Sequence, residues 1–166
     1  MMTPLTPDDV QKAIDSFDNT IRIRFFDAST ATSQQAADAI GCLLGQIVKS
    51  LAFLIDEKPI LILASGDGRV DDKKLATLFN VTRKKIKTAN PDQCVTIYGY
   101  APGGVPPVGI RMSGIPVYID QSLERFDQLY AAAGAHNAIF PISRQDLIKM
   151  TDGQVVDIRK DDTPTE

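Results

Sequence analysis

A lysine inside an otherwise apolar segment is the first feature of this chain that suggests chemistry. Lys49 lies within IVKSLAFLI (residues 47–55), a run that predicts a buried β-strand. Desolvating an ammonium group is costly, so a lysine is rarely buried without a partner. Lys49 therefore either extends over apolar surface to reach water or points into a polar cavity that receives an anionic or carbonyl-bearing group.

A loop rich in glycine and proline, GGVPP (residues 103–107), is the second candidate. Glycine lets a backbone N–H group approach a ligand closely, and proline fixes the shape of a loop in advance. Rigidly held N–H groups, here those around Gly103 and Gly104, can stabilise a carbonyl oxygen or an oxyanion. A connector that binds nothing is the alternative. The combination of the loop with Lys49 favours a site at which both act on one substrate.

Other common chemistries lack their residues in this chain. One histidine and two distant cysteines, Cys42 and Cys94, do not predict a zinc site, although a carboxylate-rich metal site stays formally open. Neither a phosphate-binding P-loop nor a Gly-x-Ser-x-Gly motif is present. A serine triad would have to use His136, for which an ordinary surface or loop position is the simpler interpretation. We therefore predict no metal and no cofactor.

Length and composition indicate one ordinary domain. The 166 residues are 43% hydrophobic and 23% charged, and we expect a single domain over residues 1–160 followed by a flexible acidic tail over 161–166. No apolar run approaches the roughly 20 residues that span a bilayer, and no signal peptide is visible. Together with two cysteines in apolar surroundings, these features predict a cytoplasmic protein without a membrane partner.

The charge balance is slightly acidic. A net charge of −3 and a pI near 5.1 disfavour a protein that coats nucleic acid, and no DNA partner is expected. One basic stretch, formed by Arg83, Lys84, Lys85 and Lys87, stands against that background. These side chains could contact the phosphates of a nucleic acid, or they could form the solvated face of a helix.

Periodicity and turn signals predict a mixed α/β (α+β) fold with hairpin-connected strands. Helices are expected to begin at Pro7, at a capping box of Thr32 and Gln35, at Asp71 or Asp72, at Asn90 and at Ser143, with another short helix over 82–88. Strands are expected over 21–25, 51–55, 60–64, 115–120, 138–142 and 155–158. The polar break over 56–59 predicts an antiparallel hairpin, whereas 123–133 fits either a helix or a strand.

Two segments of the chain carry a resemblance to a known family. LGQIVKSL (44–51) contains Lys49 and is followed at the matching distance by GY (99–100) and GGVPPVG (103–109). Together they resemble the YbaK-type aminoacyl-tRNA deacylases, relatives of the editing domain inserted in bacterial prolyl-tRNA synthetases. The resemblance extends from about residue 20 to residue 158 and includes the AA, ID and AG pairs at 36–37, 119–120 and 133–134.

This resemblance implies a partly barrel-like, mostly antiparallel mixed sheet surrounded by helices. It also implies an enzyme that hydrolyses in trans the ester joining a wrong amino acid to the terminal ribose of tRNA. Lys49 would be the site lysine, near the ester and its phosphate-rich surroundings, and Gly103 to Pro107 would be the loop whose backbone holds the substrate carbonyl or ribose. The implied partners are aminoacyl-tRNA, of the tRNA(Pro) type, and an aminoacyl-tRNA synthetase.

The resemblance further implies a set of substrate-binding residues, which are Phe25 or Phe26, Thr30 or Thr32, Ser50, Val105 and Pro107. Some family members carry a serine in a Ser-Gly-Gly segment and an aspartate shortly after it. This chain has AAGAHNAI (132–139) at the corresponding place, so both polar groups are absent. A different subgroup is therefore implied, in which His136 or Asn137 is a candidate to contact the α-amino group of the substrate.

The sequence thus predicts a trans-editing hydrolase that removes a small amino acid, such as alanine or a near relative, from mischarged tRNA. An aminoacyl ester is already activated, so attack by water needs positioning and oxyanion stabilisation rather than a protein nucleophile. Two other functions stay open at this point. One is a non-catalytic module that binds tRNA or a synthetase through the same cleft, and the other is a regulator that binds a small molecule there.

Overall fold

The computed structural model describes residues 2–161, and over that range eight strands form one mixed sheet with helices packed against it. The helices are α1 (Pro7–Phe17), α2 (Ser33–Ile40), α3 (Asp72–Phe79), α4 (Pro91–Gln93) and α5 (Arg144–Thr151). The strands are β1 (Arg24–Phe25), β2 (Ile47–Ile55), β3 (Lys58–Ser65), β4 (Ile86–Thr88), β5 (Val117–Asp120), β6 (Gln128–Ala132), β7 (Ala138–Ser143) and β8 (Gln154–Val156). The sheet order is β1-β7-β6-β2-β3-β5-β8, with β4 paired to β2 outside this path.

Both strand directions occur in the sheet. The pairs β1–β7, β2–β3, β2–β4 and β6–β7 are antiparallel, whereas β2–β6, β3–β5 and β5–β8 are parallel. The predicted mixed, mostly antiparallel α/β (α+β) fold is therefore confirmed. The described pairs leave β1 and β8 as the two ends of the path and do not close the sheet into a barrel.

The hairpin of β2 and β3 is the longest pairing and confirms the predicted one. Its register runs from Val48 opposite Ser65 to Ile55 opposite Lys58. The two turn residues, Asp56 and Glu57, have φ values of 49° and 68°. Positive φ at both positions belongs to the turn whose twist matches that of two antiparallel strands.

The other edge of β2 is shared between two shorter strands. Ile47 and Val48 pair with β6, whereas Phe53 to Ile55 pair with β4. The backbone oxygen of Ala52 still accepts from Ala89 at 2.9 Å. The stretch that begins at Lys49 therefore has β3 as its strand partner on one side and no paired strand on the other.

The helices cover the sheet with the apolar faces that their spacing predicts. Ile14 of α1 and Leu147 of α5 are fully buried in the largest core, which also contains the inner faces of β6 and β7. Leu75 of α3 packs in a second cluster on β2 and β3. Ala36 and Ala37 of α2 pack in a third cluster against β2 and β7. The helix α2 begins at the predicted capping box, and Gly41 caps its C-terminal end.

Some sequence predictions differ from the structure. The helix predicted over 82–88 is wrong, because Arg83–Lys85 form one 3-10 turn and the chain then enters β4. Pairing of β4 with the edge of β2 outweighs the local helical propensity of the basic stretch. The strand predicted over 21–25 is shorter than expected, since β1 alone pairs with β7. The ambiguous segment forms a 3-10 helix at Gln121–Arg125 followed by β6.

The ends of the chain bear on two further predictions. Most of the predicted acidic tail, residues 162–166, lies outside the described residues. Its first residue is described, and Oδ1 of Asp161 lies 3.0 Å from Nζ of Lys74. No described helix combines the length and the apolar composition that crossing a bilayer requires. The cysteines Cys42 and Cys94 are both free.

Tyr98 joins the helical turn after α4 to the central hairpin. Its side chain is fully buried, and its hydroxyl donates to the backbone oxygens of Phe53 at 3.0 Å and Ile60 at 2.6 Å. Burial raises the pKa of the Tyr98 hydroxyl, so it stays a donor. The hydroxyl thus fixes this turn to both strands of the hairpin.

We expect Tyr98→Phe to lower the free energy of unfolding by about 1 kcal/mol, the usual worth of a buried hydrogen bond. For a chain of this length, that change lowers Tm by roughly 2–4 °C. Tyr118→Phe is the matched control, because the Tyr118 hydroxyl has no hydrogen bond to another residue of the described range and its ring packs on Phe79. Thermal and urea unfolding of both variants tests the role of the Tyr98 hydrogen bonds. An equal loss of stability in the two variants would contradict that role.

Candidate active site

Lys49 is a half-buried cation held by a neutral group. Its Nζ donates a hydrogen bond to the backbone oxygen of Gly68 at 2.5 Å, just beyond the end of β3. Within residues 2–161, no ion pair involves this ammonium. Burial lowers the pKa of Lys49, and the positive charges of Arg159 and Arg69 lower it further, while Asp67 acts in the opposite direction.

A cavity of about 230 Å³ opens where β2 has no second strand partner. Its polar lining residues are Thr30, Thr32, Ser33, Lys49 and Ser50, and most of the other walls are apolar. The apolar walls come from α2, β2, β6 and β7. A small, largely apolar concavity with a few convergent polar groups is the usual form of a ligand site.

The loop over 103–107 reaches the same cavity through two residues. Gly103 lies at its exposed rim, and Val105 is buried in its wall. Gly103 has a φ of +89°, which a residue with a side chain rarely adopts. The structure therefore brings Lys49 and this loop together at one cavity.

The backbone groups of the loop are not all available to a ligand. The Gly104 N–H donates to the Ala101 oxygen at 3.1 Å, and the Gly104 oxygen accepts from the Gly134 N–H at 2.8 Å. Neither the Gly103 N–H nor the Val105 N–H has a partner in the part of the chain that the structure describes. The available donors are thus those of Gly103 and Val105, rather than the expected pair at Gly103 and Gly104.

Gly104 has a packing role instead. A Cβ at this position would lie 3.1–3.2 Å from backbone atoms of Ala135 and Gly134. Such a distance is tighter than ordinary van der Waals contact, so glycine lets the loop lie directly on the β6–β7 connection. This contact positions Gly103 and Val105 relative to the cavity.

Ser50 carries an unusual polar atom. Its Oγ is the one buried side-chain nitrogen or oxygen without a hydrogen-bond partner in the described range 2–161. Ser50 also lines the cavity next to Lys49. Buried polar atoms normally have a partner, so an unpaired hydroxyl at a cavity indicates a place where a ligand can bond.

The two threonines contribute differently to the cavity wall. The Thr30 N–H donates to the backbone oxygen of His136 at 2.6 Å, and its Oγ1 donates to the same oxygen at 3.2 Å. Thr32 caps α2, since its Oγ1 accepts from the Gln35 N–H at 3.1 Å. The Thr30 hydroxyl donates its hydrogen to the chain itself, whereas the Thr32 hydroxyl is used as an acceptor.

Several predicted site residues are not brought to the cavity. Phe25 is 64% exposed, and Phe26 packs with the cluster under α2. Pro107 lines a separate surface groove. Asn137 donates to the backbone oxygen of Phe26 at 3.1 Å, and His136 contributes its backbone oxygen to Thr30. None of these five residues lines the cavity that Lys49 shares with the loop.

The basic stretch lies beside the other end of β2. Lys87 pairs with Leu54, and Lys85 Nζ lies 3.4 Å from Asp56 Oδ1. Arg83 and Lys84 are exposed in the 3-10 turn. Because a strand rises about 3.3 Å per residue, Leu54 lies roughly 16 Å along β2 from Lys49.

A charged cluster that the sequence does not predict lies at the Lys49 end of the site. Asp67 binds two arginines, with Oδ2 2.9 Å from Arg125 Nη1 and Oδ1 2.7 Å from Arg159 Nη1. In the chain, these arginines are 58 and 92 positions away from Asp67. Chain separations of this size leave no local pattern from which the cluster could be found.

Metal binding finds no support in the described part of the chain. Among residues 2–161, no group of three or more His, Cys, Asp or Glu side chains is arranged to hold a metal ion. The acidic residue next to the site, Asp67, is occupied by arginines.

Comparison with known proteins places this site in context. The model of the aminoacyl-tRNA editing domain matches residues 27–150. The chain is 35% identical over 138 residues to the uncharacterized protein YwhH of Bacillus subtilis (strain 168), covering 82% of this chain and 85% of that protein. It is 30% identical over 102 residues to the proline–tRNA ligase of Staphylococcus aureus (strain Newman), of which the match covers 17%.

Solved structures give the same result at the level of the fold. One of them is a crystal structure described as a candidate trans-editing enzyme for prolyl tRNA synthetase. It is 33% identical to this chain with a TM-score of 0.87, and the match covers 97% of this chain and 100% of the other. The match of the family model to most of the chain, together with the 35% identity to a relative that is covered to 85%, shows that this chain belongs to the aminoacyl-tRNA editing domain family.

Proposed function

We propose that this protein is a trans-editing deacylase, which hydrolyses the ester between a small, wrongly attached amino acid and a tRNA of the tRNA(Pro) type. The observation that carries the proposal is one small cavity lined by Lys49, Ser50, Gly103 and Val105. Membership of the editing-domain family and the relation to proline–tRNA ligase support this substrate class. An aminoacyl-tRNA synthetase is a further proposed partner.

The proposed reaction uses water as the nucleophile. Water adds to the ester carbonyl, the bond to the ribose oxygen breaks, and that oxygen takes up a proton, which releases the free amino acid and the tRNA. Because the ester is already activated, the protein has to position the carbonyl and stabilise the developing oxyanion. The unpaired N–H groups of Gly103 and Val105 are the proposed oxyanion donors.

Lys49 and Ser50 have separate proposed roles. The Lys49 ammonium binds the terminal phosphate or the ribose of tRNA and steadies the negative charge there. The unpaired Ser50 hydroxyl accepts a hydrogen bond from the substrate α-amino group or donates one to the ribose. No side chain of the cavity is an evident general base, so the neighbouring ribose hydroxyl or the substrate amine orients the water.

The size of the cavity favours a small amino acid. At about 230 Å³ it is smaller than the roughly 300–1,000 Å³ of pockets that hold drug-sized ligands. Synthetases misload similar small amino acids because one methylene group is worth only about 1–3 kcal/mol of discrimination. A second cavity that rejects the larger, correct amino acid by size corrects that error.

Replacement of the site lysine is the direct test. We expect Lys49→Ala to lower kcat/KM for deacylation of mischarged tRNA by at least about 100-fold, the range seen when a transition-state charge contact is lost. Tm should change little, since the lysine contributes no ion pair. Lys58→Ala, which alters an exposed lysine at the start of β3, is the matched control. The assay follows loss of the ester over a panel of mischarged tRNAs.

Two outcomes of that assay contradict the proposal. Unchanged turnover by Lys49→Ala removes the assigned role of the lysine. Stoichiometric protection of the ester by the unmodified protein, without turnover, selects the non-catalytic binding module instead.

The pH dependence of the reaction follows from the pKa of Lys49. Burial and the two neighbouring arginines lower this pKa, and the charged form is the one that binds substrate. Activity is therefore present below the lowered pKa and lost as the pH rises through it, at a lower pH than for an exposed lysine. Lys49→Arg keeps its charge at high pH, so any activity it retains should not show this loss. Rates are compared with enzyme-free hydrolysis at each pH.

The basic stretch is a proposed tRNA contact outside the cavity. We expect Lys84→Glu/Lys87→Glu to weaken tRNA binding and to reduce the slope of log K against log salt by about two. Lys12→Glu/Lys149→Glu makes the same change in net charge at exposed positions on α1 and α5 and should have a smaller effect. Binding is measured by filter retention at several salt concentrations. If the two double variants weaken tRNA binding equally, the basic stretch is an ordinary solvated surface and not a specific tRNA contact.

A further inference from the structure

The turn that follows β3, residues 66–68, contains a carboxylate that does not pair with the site lysine. Lys49 donates to the backbone oxygen of Gly68, whereas the side chain of the adjacent Asp67 lies among arginines. Attraction between an ammonium and a carboxylate is strong where water is limited, so the two groups would pair if both were free. What separates them decides whether Lys49 is available to a substrate.

Both oxygens of the Asp67 carboxylate are occupied. Oδ2 accepts from Arg125 Nη1 at 2.9 Å. Oδ1 accepts from Arg125 Nη2 at 2.9 Å, from Arg159 Nη1 at 2.7 Å and from Ser65 Oγ at 3.0 Å. The hydrogen bonds from Arg125 are the main cause that holds the pKa of Asp67 well below its usual range, and those from Arg159 and Ser65 act in the same direction.

The two arginines are themselves fixed in place. Arg125 Nε donates to the Ser122 oxygen at 2.7 Å, and its guanidinium lies 4.9 Å from the centre of the Phe126 ring. Arg159 Nη2 donates to the backbone oxygen of Asp67 at 3.2 Å. The Arg159 guanidinium also packs against Gly68 so closely that a Cβ there would overlap it. Arg159, which holds Asp67, therefore also packs against the residue whose carbonyl receives Lys49.

We propose that Arg125 and Arg159 are positioning residues, which bind the Asp67 carboxylate so that it cannot pair with Lys49. The ammonium then rests on the neutral Gly68 carbonyl and stays available to an anionic group of the substrate. A substrate phosphate has to displace only this one hydrogen bond, whereas a Lys49–Asp67 ion pair would compete with it directly. The nature of that substrate rests on the proposed deacylase function, but the arrangement of charges does not.

A purely structural role of the cluster gives a different expectation. If Asp67 served only to tie the turn to the two arginines, its removal would harm the site in every background. On our proposal, removal of Asp67 is beneficial once the arginines are gone, because the competing carboxylate disappears. The sign of this effect therefore separates the two explanations.

The experiment is a mutant cycle in the full-length protein. We expect Arg125→Gln/Arg159→Gln to raise KM for mischarged tRNA roughly five- to tenfold, since a partly buried ion pair must now break before substrate binds. Adding Asp67→Asn to this double variant should recover most of the loss. Arg144→Gln, which removes a different ion pair with Asp127, is the control for the substitution itself.

A second measurement does not require activity. The pKa of Lys49 is followed by NMR of 13Cε-labelled lysine, with the signal assigned from its absence in Lys49→Arg. The charged groups that act on Lys49 are Asp67, Arg69 and Arg159. Asp67→Asn should lower the pKa of Lys49 more in the double-arginine variant than in the unmodified protein, because only there does the carboxylate reach the ammonium.

These readouts separate failure of the inference from failure of the proposed function. Absence of deacylation in the unmodified protein removes the proposed function, and the NMR cycle still tests the inference. Two results would overturn the inference. One is an equal change in the pKa of Lys49 on Asp67→Asn in the two backgrounds, and the other is no recovery of KM in the triple variant. If the double variant does not fold, Arg125→Gln with and without Asp67→Asn forms the corresponding cycle, because within the described residues Arg125 is the donor to Asp67 Oδ2.

Discussion

The positive charge of Lys49 on a largely buried strand is the constraint on which the site depends. Moving an ammonium out of water is costly, and the protein offsets that cost without a carboxylate. The Gly68 carbonyl supplies the hydrogen bond, so the turn that carries it must be held accurately. Gly66 N–H donates to the Ile47 oxygen at 2.8 Å, and Ser65 Oγ donates to the Gly45 oxygen at 2.6 Å. These bonds fix the turn to the start of β2, close to the lysine itself.

The cavity has its origin in the way β2 shares its outer edge. Antiparallel β3 pairs with β2 over nearly its whole length, but β6 and β4 each take only one end of the other edge. Alternate residues of a strand direct their backbone groups to the same edge. Since the Ala52 oxygen accepts from β4's neighbour Ala89, the N–H and C=O groups of Ser50 also point to this edge. The open part of β2 thus offers polar backbone as well as Lys49 to the cavity.

Much of the fold could be predicted from the sequence because its signals are local. The capping box at Thr32, the Pro7 helix start and the polar break between β2 and β3 each depend on residues a few positions apart. The basic stretch was predicted as a helix and forms a 3-10 turn and β4, since its pairing partner is about 30 residues away in the chain. Local propensity carries no information about such a partner.

The candidate site likewise has features that could be predicted from the sequence and features that could not. Lys49 and the 103–107 loop were recognisable, because a cation in an apolar run and a glycine-proline loop are unusual compositions. Which N–H groups of the loop are free could not be predicted, since the Ala101 turn and the contact with Gly134 use Gly104. The bonds of the His136 backbone oxygen to Thr30 and of the Asn137 amide to Phe26, which place both residues beside the cavity wall, also join parts of the chain more than 100 positions apart. Contacts between residues distant in the chain, rather than residue types, determine which N–H groups of the loop are free and which residues bond to one another around the cavity.

The unpaired polar groups and the apolar walls of the cavity support the proposed substrate class. A buried donor or acceptor without a partner costs about 1–3 kcal/mol, and among the side chains of residues 2–161 Ser50 Oγ is such an atom. A ligand that bonds to it recovers this cost, whereas an apolar group of the same shape does not. The surrounding apolar walls limit the side chain that can accompany that bond. An editing site has to bind the part that all aminoacyl esters share and to exclude the wrong side chains by size. Polar contacts serve the first requirement, and apolar walls serve the second.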